Sequence, residues 1–184
     1  MKLKIFTLFF ICVTVLFSCK KKKEINLTDG YKNVQKKIIE KFGVDAHYTD
    51  ISINKNKESE ITIDLLITNN PGSYKMEGWS YSRDGWNQVS KVNLELSQGN
   101  IDNYMFQFNE EVSIIAAGRL IKLSIRKLKD KQAIKTTLKE LKIISPHDGD
   151  KSKMKYEIKL ESETNQIFSF SYDLSGKLML DPSN

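Results

Sequence analysis

The eight residues Trp79-Ser80-Tyr81-Ser82-Arg83-Asp84-Gly85-Trp86 have the pattern of a tight β-hairpin. The run from Tyr74 to Tyr81 predicts the first strand, and Trp86 to Leu96 predicts the return strand. Arg83-Asp84-Gly85 predicts the turn, because tight hairpins need a residue that takes a positive φ and glycine does so readily.

A second stretch, Phe170-Ser171-Tyr172-Asp173-Leu174-Ser175-Gly176-Lys177, aligns with this hairpin residue for residue. Each hairpin follows a predicted helix, a strand, a polar loop and a further strand. We therefore predict an α+β fold of two similar halves, 28–108 and 109–184, each a helix followed by an antiparallel β-meander. An internal duplication would explain the likeness, and so would the reuse of the same turn residues by unrelated hairpins.

Periodicity and turn residues predict the other elements. Thr28 or Asp29 is expected to cap the first helix, and Gly43 to end it. Asn109 is expected to cap a second helix that reaches Leu128, with Glu110 and Glu111 in its first turn and Gly118 allowing close packing. A short strand is predicted around Tyr104, Phe106 and Phe108. The remaining predicted strands are Ala46 to Asn54, Ile61 to Ile67, Leu138 to Ser145, Met154 to Leu160, Gln166 to Tyr172 and Lys177 to Leu180. This order of elements is similar to that of PepSY-like and cystatin-like exported bacterial domains.

The N-terminus has the composition of a secretion signal. Lys2 and Lys4 precede an apolar run from Ile5 to Phe17 that is too short for a permanent membrane span. Leu16-Phe17-Ser18-Cys19 follows and resembles the lipobox of bacterial lipoprotein precursors, although Phe17 is bulkier than usual at its position.

The lipobox resemblance implies a signal peptide at 1–18 and a mature chain that begins at Cys19. The sulfur of Cys19 would carry diacylglycerol, and residues 19–27 would form a lysine-rich tether. Lys20 occupies the position where an aspartate often retains lipoproteins at the inner membrane. The resemblance therefore implies an exported protein held by lipid on the bacterial cell membrane, at the outer membrane where two are present. A plain secretory signal or an N-terminal anchor helix is the alternative.

The net charge of +6 comes entirely from this segment. Six of the 29 basic residues lie within the first 23 positions, so 23 basic residues balance 23 acidic ones from Glu24 onward. A neutral body without an arginine-rich stripe is a poor nucleic-acid binder, and no nucleic-acid partner is expected.

The body also lacks the residues that most catalytic sites require. Its two candidate thiols, Cys12 and Cys19, both lie in the N-terminal segment, which excludes a disulfide or a thiolate metal site from the body. His47 and His147 are the only histidines, and no serine lies in a nucleophile elbow. Asp148-Gly149-Asp150 lacks the spacing of a calcium loop and reads as a turn. We predict no enzyme activity, no catalytic residue, no metal and no cofactor, and an enzyme based on the two histidines is the weakest reading.

The aromatic hairpin, residues 79–86, contains both tryptophans of the chain. Strict alternation places Trp79 and Tyr81 on one face of their strand, where they could fill a core. Because Trp, Tyr and Arg are favoured at interfaces, the hairpin could instead contact a partner through Trp86, Arg83, Tyr81 and Trp79.

Two functional hypotheses follow. The first is a non-enzymatic, lipid-anchored protein of the bacterial cell envelope that binds an unknown envelope protein or peptide in an inhibitory, immunity-type or assembly role. The second is a carrier or sensor of a small apolar or lipidic ligand held between sheet and helix, which the abundance of Phe, Tyr and Ile suggests.

Overall fold

The computed structural model describes residues 27–56, 58, 60–95, 99–109 and 112–181. It shows an α+β fold with two helices and an eight-stranded antiparallel sheet. The helices are α1, Leu27–Phe42, and α2, Ile114–Gln132. The strands are β1 His47–Lys55, β2 Ile61–Thr68, β3 Lys75–Ser82, β4 Gly85–Asn93, β5 Thr136–Ile144, β6 Lys155–Ser162, β7 Ile167–Asp173 and β8 Leu178–Leu180.

The strands form one continuous sheet in the order β4-β3-β2-β1-β5-β6-β7-β8. At its centre β1 pairs with β5, so that Ile51 lies opposite Ile143 and Ile53 opposite Leu141. One edge is the nine-residue β4 and the other is the three-residue β8. The chain regions 28–108 and 109–184 therefore meet within a single sheet.

Both helices cover the same face of the sheet. Phe42 of α1 packs on Trp79 of β3, and Ser124 of α2 hydrogen-bonds the hydroxyl of Tyr172 in β7 at 2.7 Å. The helices contact each other at Gly118, where an added Cβ would lie 2.4 Å from Cδ2 of Tyr31. Side chains at the centre of this interface are fully buried, among them Ile38 and Ile121. The prediction that Gly118 allows close packing is confirmed.

The predicted helix starts were wrong. Leu27 is already helical, so Thr28 and Asp29 lie inside α1. Ser113, not Asn109, caps α2, since its hydroxyl accepts hydrogen bonds from the backbone N–H groups of Ile115 and Ala116. Asn109 instead accepts a hydrogen bond from the N–H of Val112 at 2.7 Å, within the turn that precedes the helix. Glu110 and Glu111 lie outside the described residues.

The strand predicted around Tyr104, Phe106 and Phe108 was also wrong. Ile101–Tyr104 forms a turn of 3₁₀ helix, and Phe106 makes an isolated bridge to Tyr48 through two backbone hydrogen bonds of 2.8 Å. The rings of Phe106 and Phe108 pack on Tyr48 at 5.8 and 5.0 Å between centroids. The alternating aromatics therefore reflect packing against β1 and not a ninth strand.

Candidate functional site

The face of the sheet opposite α1 and α2, termed the open face, is covered by neither of them. The segment that contains Ile101 and Met105 packs on it, where it buries Met76 of β3. In β1 the side chains of Ile51 and Ile53 are buried towards the helices, whereas Asp50, Ser52 and Asn54 alternate onto the open face. Cross-strand pairing continues this polar row, because Ser52 lies opposite Asp64 of β2 on one side and Lys142 of β5 on the other.

On β5 and β6 the open face carries paired charges. Glu140 lies 3.1 Å from the ammonium of Lys142 and 2.8 Å from that of Lys159, and Glu157 lies 2.7 Å from that of Lys155. Burial raises the pKa of Glu140, but the hydrogen bonds from the two lysines outweigh it and hold that pKa below its usual value. The acidic groups in this part of the face are thus neutralised by the chain itself.

On β1 and β2 the acidic groups are not neutralised in this way. Within the part of the chain that the structure describes, neither Asp50 nor Asp64 forms an ion pair. The closest polar contact of Asp64 is a long hydrogen bond of 3.5 Å from the amide of Asn54. Two carboxylates on neighbouring strands therefore face solvent and attract a cation.

A hollow of about 420 Å³ lies beside these carboxylates and is termed the open-face hollow. Gly78 lets the side chain of Ser90 pack closely against β3 there, since an added Cβ would lie 2.1 Å from the hydroxyl of Ser90 and clash with it. Leu66, Ile144 and Val89 supply apolar walls, and Val89 is 64% exposed. The hollow therefore combines an apolar surface with two carboxylates, and Lys142, which is paired with Glu140, also lines it.

The aromatic hairpin faces the helices. Trp79, Tyr81 and Trp86 are half-buried, and both tryptophan rings lie edge-on to Phe42, at 5.5 and 5.0 Å between centroids. The Lys37 ammonium lies over the ring of Tyr81 and that of Lys41 over the ring of Trp79. The turn residue Arg83 is exposed. The three aromatics thus fill one end of the layer between sheet and α1, and their role in partner binding stays a prediction.

The two histidines occupy different surroundings. His147 is exposed in the loop after β5 and lines the open-face hollow, whereas His47 is half-buried at the start of β1. No hydrogen bond joins either imidazole to a serine or a carboxylate among the described residues. A hydrogen bond from the ammonium of Lys153 holds the pKa of Asp148 below its usual value, and hydrogen bonds from Ser152 do the same for Asp150.

Cys19 and the predicted signal lie outside the described residues. Within them no helix is long and apolar enough to cross a membrane. No group of three His, Cys, Asp or Glu side chains in the described ranges is arranged to hold a metal ion.

Comparison with protein-family models, curated proteins and solved structures finds no match to this chain. The resemblances to lipoprotein precursors and to PepSY-like and cystatin-like domains therefore stay predictions.

The open-face hollow was missed by sequence reasoning. Alternation in β1 and β2 could have placed Asp50 and Asp64 on the polar side of their strands. That neither α1 nor α2 covers this side depends on both helices packing on the same face, which no local pattern reveals. Gly78 and Ser90 both line the hollow, and only the register of β3 with β4 places them opposite each other.

Proposed function

We propose that this protein is a non-enzymatic lipoprotein of the bacterial cell envelope, attached to the membrane through Cys19, which binds a protein or peptide partner on the open face of its sheet. The observation that carries the proposal is the open-face hollow, where an apolar surface adjoins two carboxylates without ion-pair partners in the described chain. An inhibitory, immunity-type or assembly role would each use such a surface.

The chemistry of the hollow defines the partner's contact residue. An arginine or lysine could lay its aliphatic stem on Leu66 and Val89 and bring its charge to Asp50 and Asp64. The ion pairs of β5 and β6 reduce the repulsion from Lys142, Lys155 and Lys159, because these three lysines share the two carboxylates of Glu140 and Glu157. We therefore expect the partner to present a cationic residue next to an apolar one.

The site can be tested by placing a photo-crosslinking amino acid in the full chain, in its own cells. One position is Val89 in the hollow, one is Arg83 at the hairpin turn, and one is Lys129 on the exposed side of α2. We expect Val89 to give one discrete protein adduct, whose crosslinked peptide contains Arg or Lys beside an apolar residue. Asp50→Asn with Asp64→Asn should abolish it.

Each other pattern has a definite meaning. An adduct at Arg83 alone would indicate that the partner binds at the aromatic hairpin and not at the open-face hollow. An adduct at Val89 that survives loss of both carboxylates would contradict the predicted cationic contact. The absence of any adduct at the three positions would remove the partner-binding proposal.

The anchoring is tested separately. In cells supplied with a labelled fatty acid, the full chain should incorporate the label and Cys19→Ala should not. Equal labelling of both chains would place any lipid elsewhere. No labelling of either chain would contradict the lipid anchor.

A second candidate function rests on a different hollow, of about 490 Å³, between α2 and the β7–β8 end of the sheet. Leu123 and Leu178 supply apolar surface there. Arg126, Lys127 and Lys131 supply positive charge, which Asp130 and the ion pair of Lys127 with Asp181 reduce. Such a hollow suits an anionic amphiphile, in keeping with the predicted apolar or lipidic ligand. Native mass spectrometry of protein purified without its own lipid should show a bound ligand, and a clean apo mass would count against this candidate.

We also propose that the two halves arose by internal duplication. The strand register supports it: Ile51 lies opposite Leu65, which lies opposite Trp79, and Leu141 lies opposite Ile158, which lies opposite Phe170. This gives the same correspondence of Trp79 with Phe170 as the alignment of the two hairpins. Gly85 and Gly176, which follow in the two turns, both have positive φ, of 101° and 84°. Superposition of the two halves in an experimental structure should preserve this correspondence, and a different register would contradict it.

A further inference from the structure

The charges of the body are distributed unevenly between its helices and the rest of the chain. The helix layer, formed by α1 and α2, contains ten basic and three acidic residues. Since the chain from Glu24 onward has 23 of each, the rest of it contains 13 basic and 20 acidic residues. The overall neutrality therefore conceals a cationic helix layer and an anionic remainder.

Most of these cations lie on the surface of the layer. In both helices the sequence alternates between apolar positions buried against the sheet and basic positions that are exposed. The exposed basic residues of the layer are Lys32, Lys36, Lys37, Lys41, Arg119, Lys122, Arg126, Lys129 and Lys131. Lys36 is joined to Glu40 by an exposed ion pair of the i,i+4 type, which contributes little stability. The layer thus presents a broad positive surface.

The proposed attachment point lies next to this surface. Cys19 precedes the first described residue of α1, Leu27, by eight positions, a separation that spans at most about 28 Å when fully extended. A lipid on Cys19 therefore holds the membrane within reach of the start of the helix layer. Lys20 to Lys23 add four cations to the same link.

We infer that the helix layer lies against anionic lipid headgroups and that the open face points away from the membrane. Lysine and arginine near an anionic bilayer are attracted to its surface, and the acidic remainder of the body is repelled by it. The half-buried rings of Trp79, Tyr81 and Trp86 lie at one end of the layer, beside Lys37 and Lys41, and such amphipathic rings favour a membrane interface. This orientation extends the proposed anchoring and presents the open-face hollow to a partner.

The test measures binding to vesicles. The chain from residue 19 with Cys19→Ser retains every described residue and carries no lipid. At low salt we expect it to sediment with vesicles that contain about one third anionic lipid, and not with zwitterionic vesicles. High salt should release it, because screening weakens attraction between exposed charges.

Matched variants locate the binding surface. Lys32→Gln, Arg119→Gln and Lys129→Gln together remove three charges from the helix layer, and glutamine keeps the helix propensity. We expect them to weaken binding about a hundredfold, at about fivefold for each charge. Lys151→Gln, Lys155→Gln and Lys159→Gln remove three charges from outside the helix layer and should change binding less than about threefold. Replacing all four lysines at positions 20–23 with glutamine measures how much the tether contributes to vesicle binding.

Three results would overturn the inference: equal losses in the two triple variants, no preference for anionic vesicles, or binding that depends on the tether alone. Equal binding to duplex DNA would also overturn it, since the layer would then be a general polyanion surface. Vesicle binding requires neither a lipid on Cys19 nor a partner, so its failure leaves the proposed function standing. A Cys19 that carries no lipid would likewise leave the vesicle result standing.

Discussion

A single glycine sets the distance between the two helices. We predict that Gly118→Ala destabilises the fold by about 1–2 kcal/mol, although alanine is the better helix former, because the ring of Tyr31 would have to move away from the new Cβ. Urea unfolding followed by circular dichroism measures this. Gly72→Ala is the control, since the nearest atom to its added Cβ is 3.8 Å away. An unchanged or higher stability of Gly118→Ala would contradict the packing.

Glu140 should make stability depend on pH. Its pKa is lowered in the fold, so the stabilisation it gives is present above its unfolded pKa, about 4.3, and is lost as the pH falls through the folded value. Urea unfolding between pH 6 and about pH 3 should show a smaller loss of stability for Glu140→Gln than for the unchanged chain. Lys159→Gln should reproduce part of that difference. If stability fell with pH in the same way in the unchanged chain and in both variants, the ion pairs of Glu140 would not be the source of the pH dependence.

At the residue scale, the local sequence pattern predicted the close packing at Gly118 but could not predict the ion pairs of Glu140. An isolated glycine inside a helical pattern already suggests a close approach. The neighbours of Glu140 come from register: its own strand supplies Lys142, and β6 supplies Lys159. Nothing in the sequence near Glu140 specifies that β6 lies beside it.

In the aromatic hairpin, the tryptophan rings pack against α1, whereas the turn is exposed. We predict that Trp86→Ala costs about 2 kcal/mol, because its half-buried ring packs on Phe42 and Tyr81. Arg83→Ala should stay within about 0.5 kcal/mol of the unchanged chain, as is usual for an exposed turn residue. Thermal unfolding of both variants checks this. Equal stabilities would show that the tryptophan is not part of the packing.

This difference affects how binding data are interpreted. A partner lost with Trp86→Ala could reflect partial unfolding, whereas a partner lost with Arg83→Ala could not. The hairpin itself was predicted well, since turn chemistry and aromatic alternation are local signals. Which side its rings face depends on the position of α1.

The start of α2 gives a further prediction at the element scale. Ser113→Ala should cost about 1 kcal/mol, since the hydroxyl caps Ile115 and Ala116 and also donates to the side-chain oxygen of Gln35 at 3.1 Å. Ser113→Thr retains a hydroxyl and should retain most of the stability. Chemical denaturation measures both. If Ser113→Ala were as stable as the unchanged chain, the cap would contribute nothing to the stability of the fold.

The sequence around Asn109 predicts a cap at that residue for a physical reason. Asparagine, two glutamates and an apolar run form a plausible helix start. The helix begins later because Asn109 closes its own turn on Val112, while Tyr156 accepts a hydrogen bond from the N–H of Ser113 at 3.0 Å. A tertiary contact from β6 therefore favours one cap over another.

At the scale of the whole molecule, we predict that the protein unfolds in one cooperative transition. The two chain halves share the β1–β5 pairing and one continuous core, so neither is expected to persist alone. Both tryptophans lie between residues 79 and 86, so their fluorescence reports on the first half, whereas far-UV circular dichroism reports on both. The two signals should change at the same urea concentration, and an earlier fluorescence change would indicate separate unfolding.

The sequence predicted the fold class and most strands, but not how the halves join. Alternation in β1 and β5 identifies strands with one apolar side. It does not say that these two strands pair, since Ser52 and Glu140 are 88 positions apart. The continuous open face, and with it the candidate site, follows from that one long-range pairing.

That pairing also has a consequence for the order of events during synthesis. In the sheet β1 lies between β2 and β5. At about 5–20 residues per second, the ribosome needs several seconds to make the segment between β1 and β5. During that interval β1 is a temporary edge, open to wrong partners. The centre of the sheet can therefore close only after β5 has been made, which makes β1 vulnerable to wrong pairing for that whole interval.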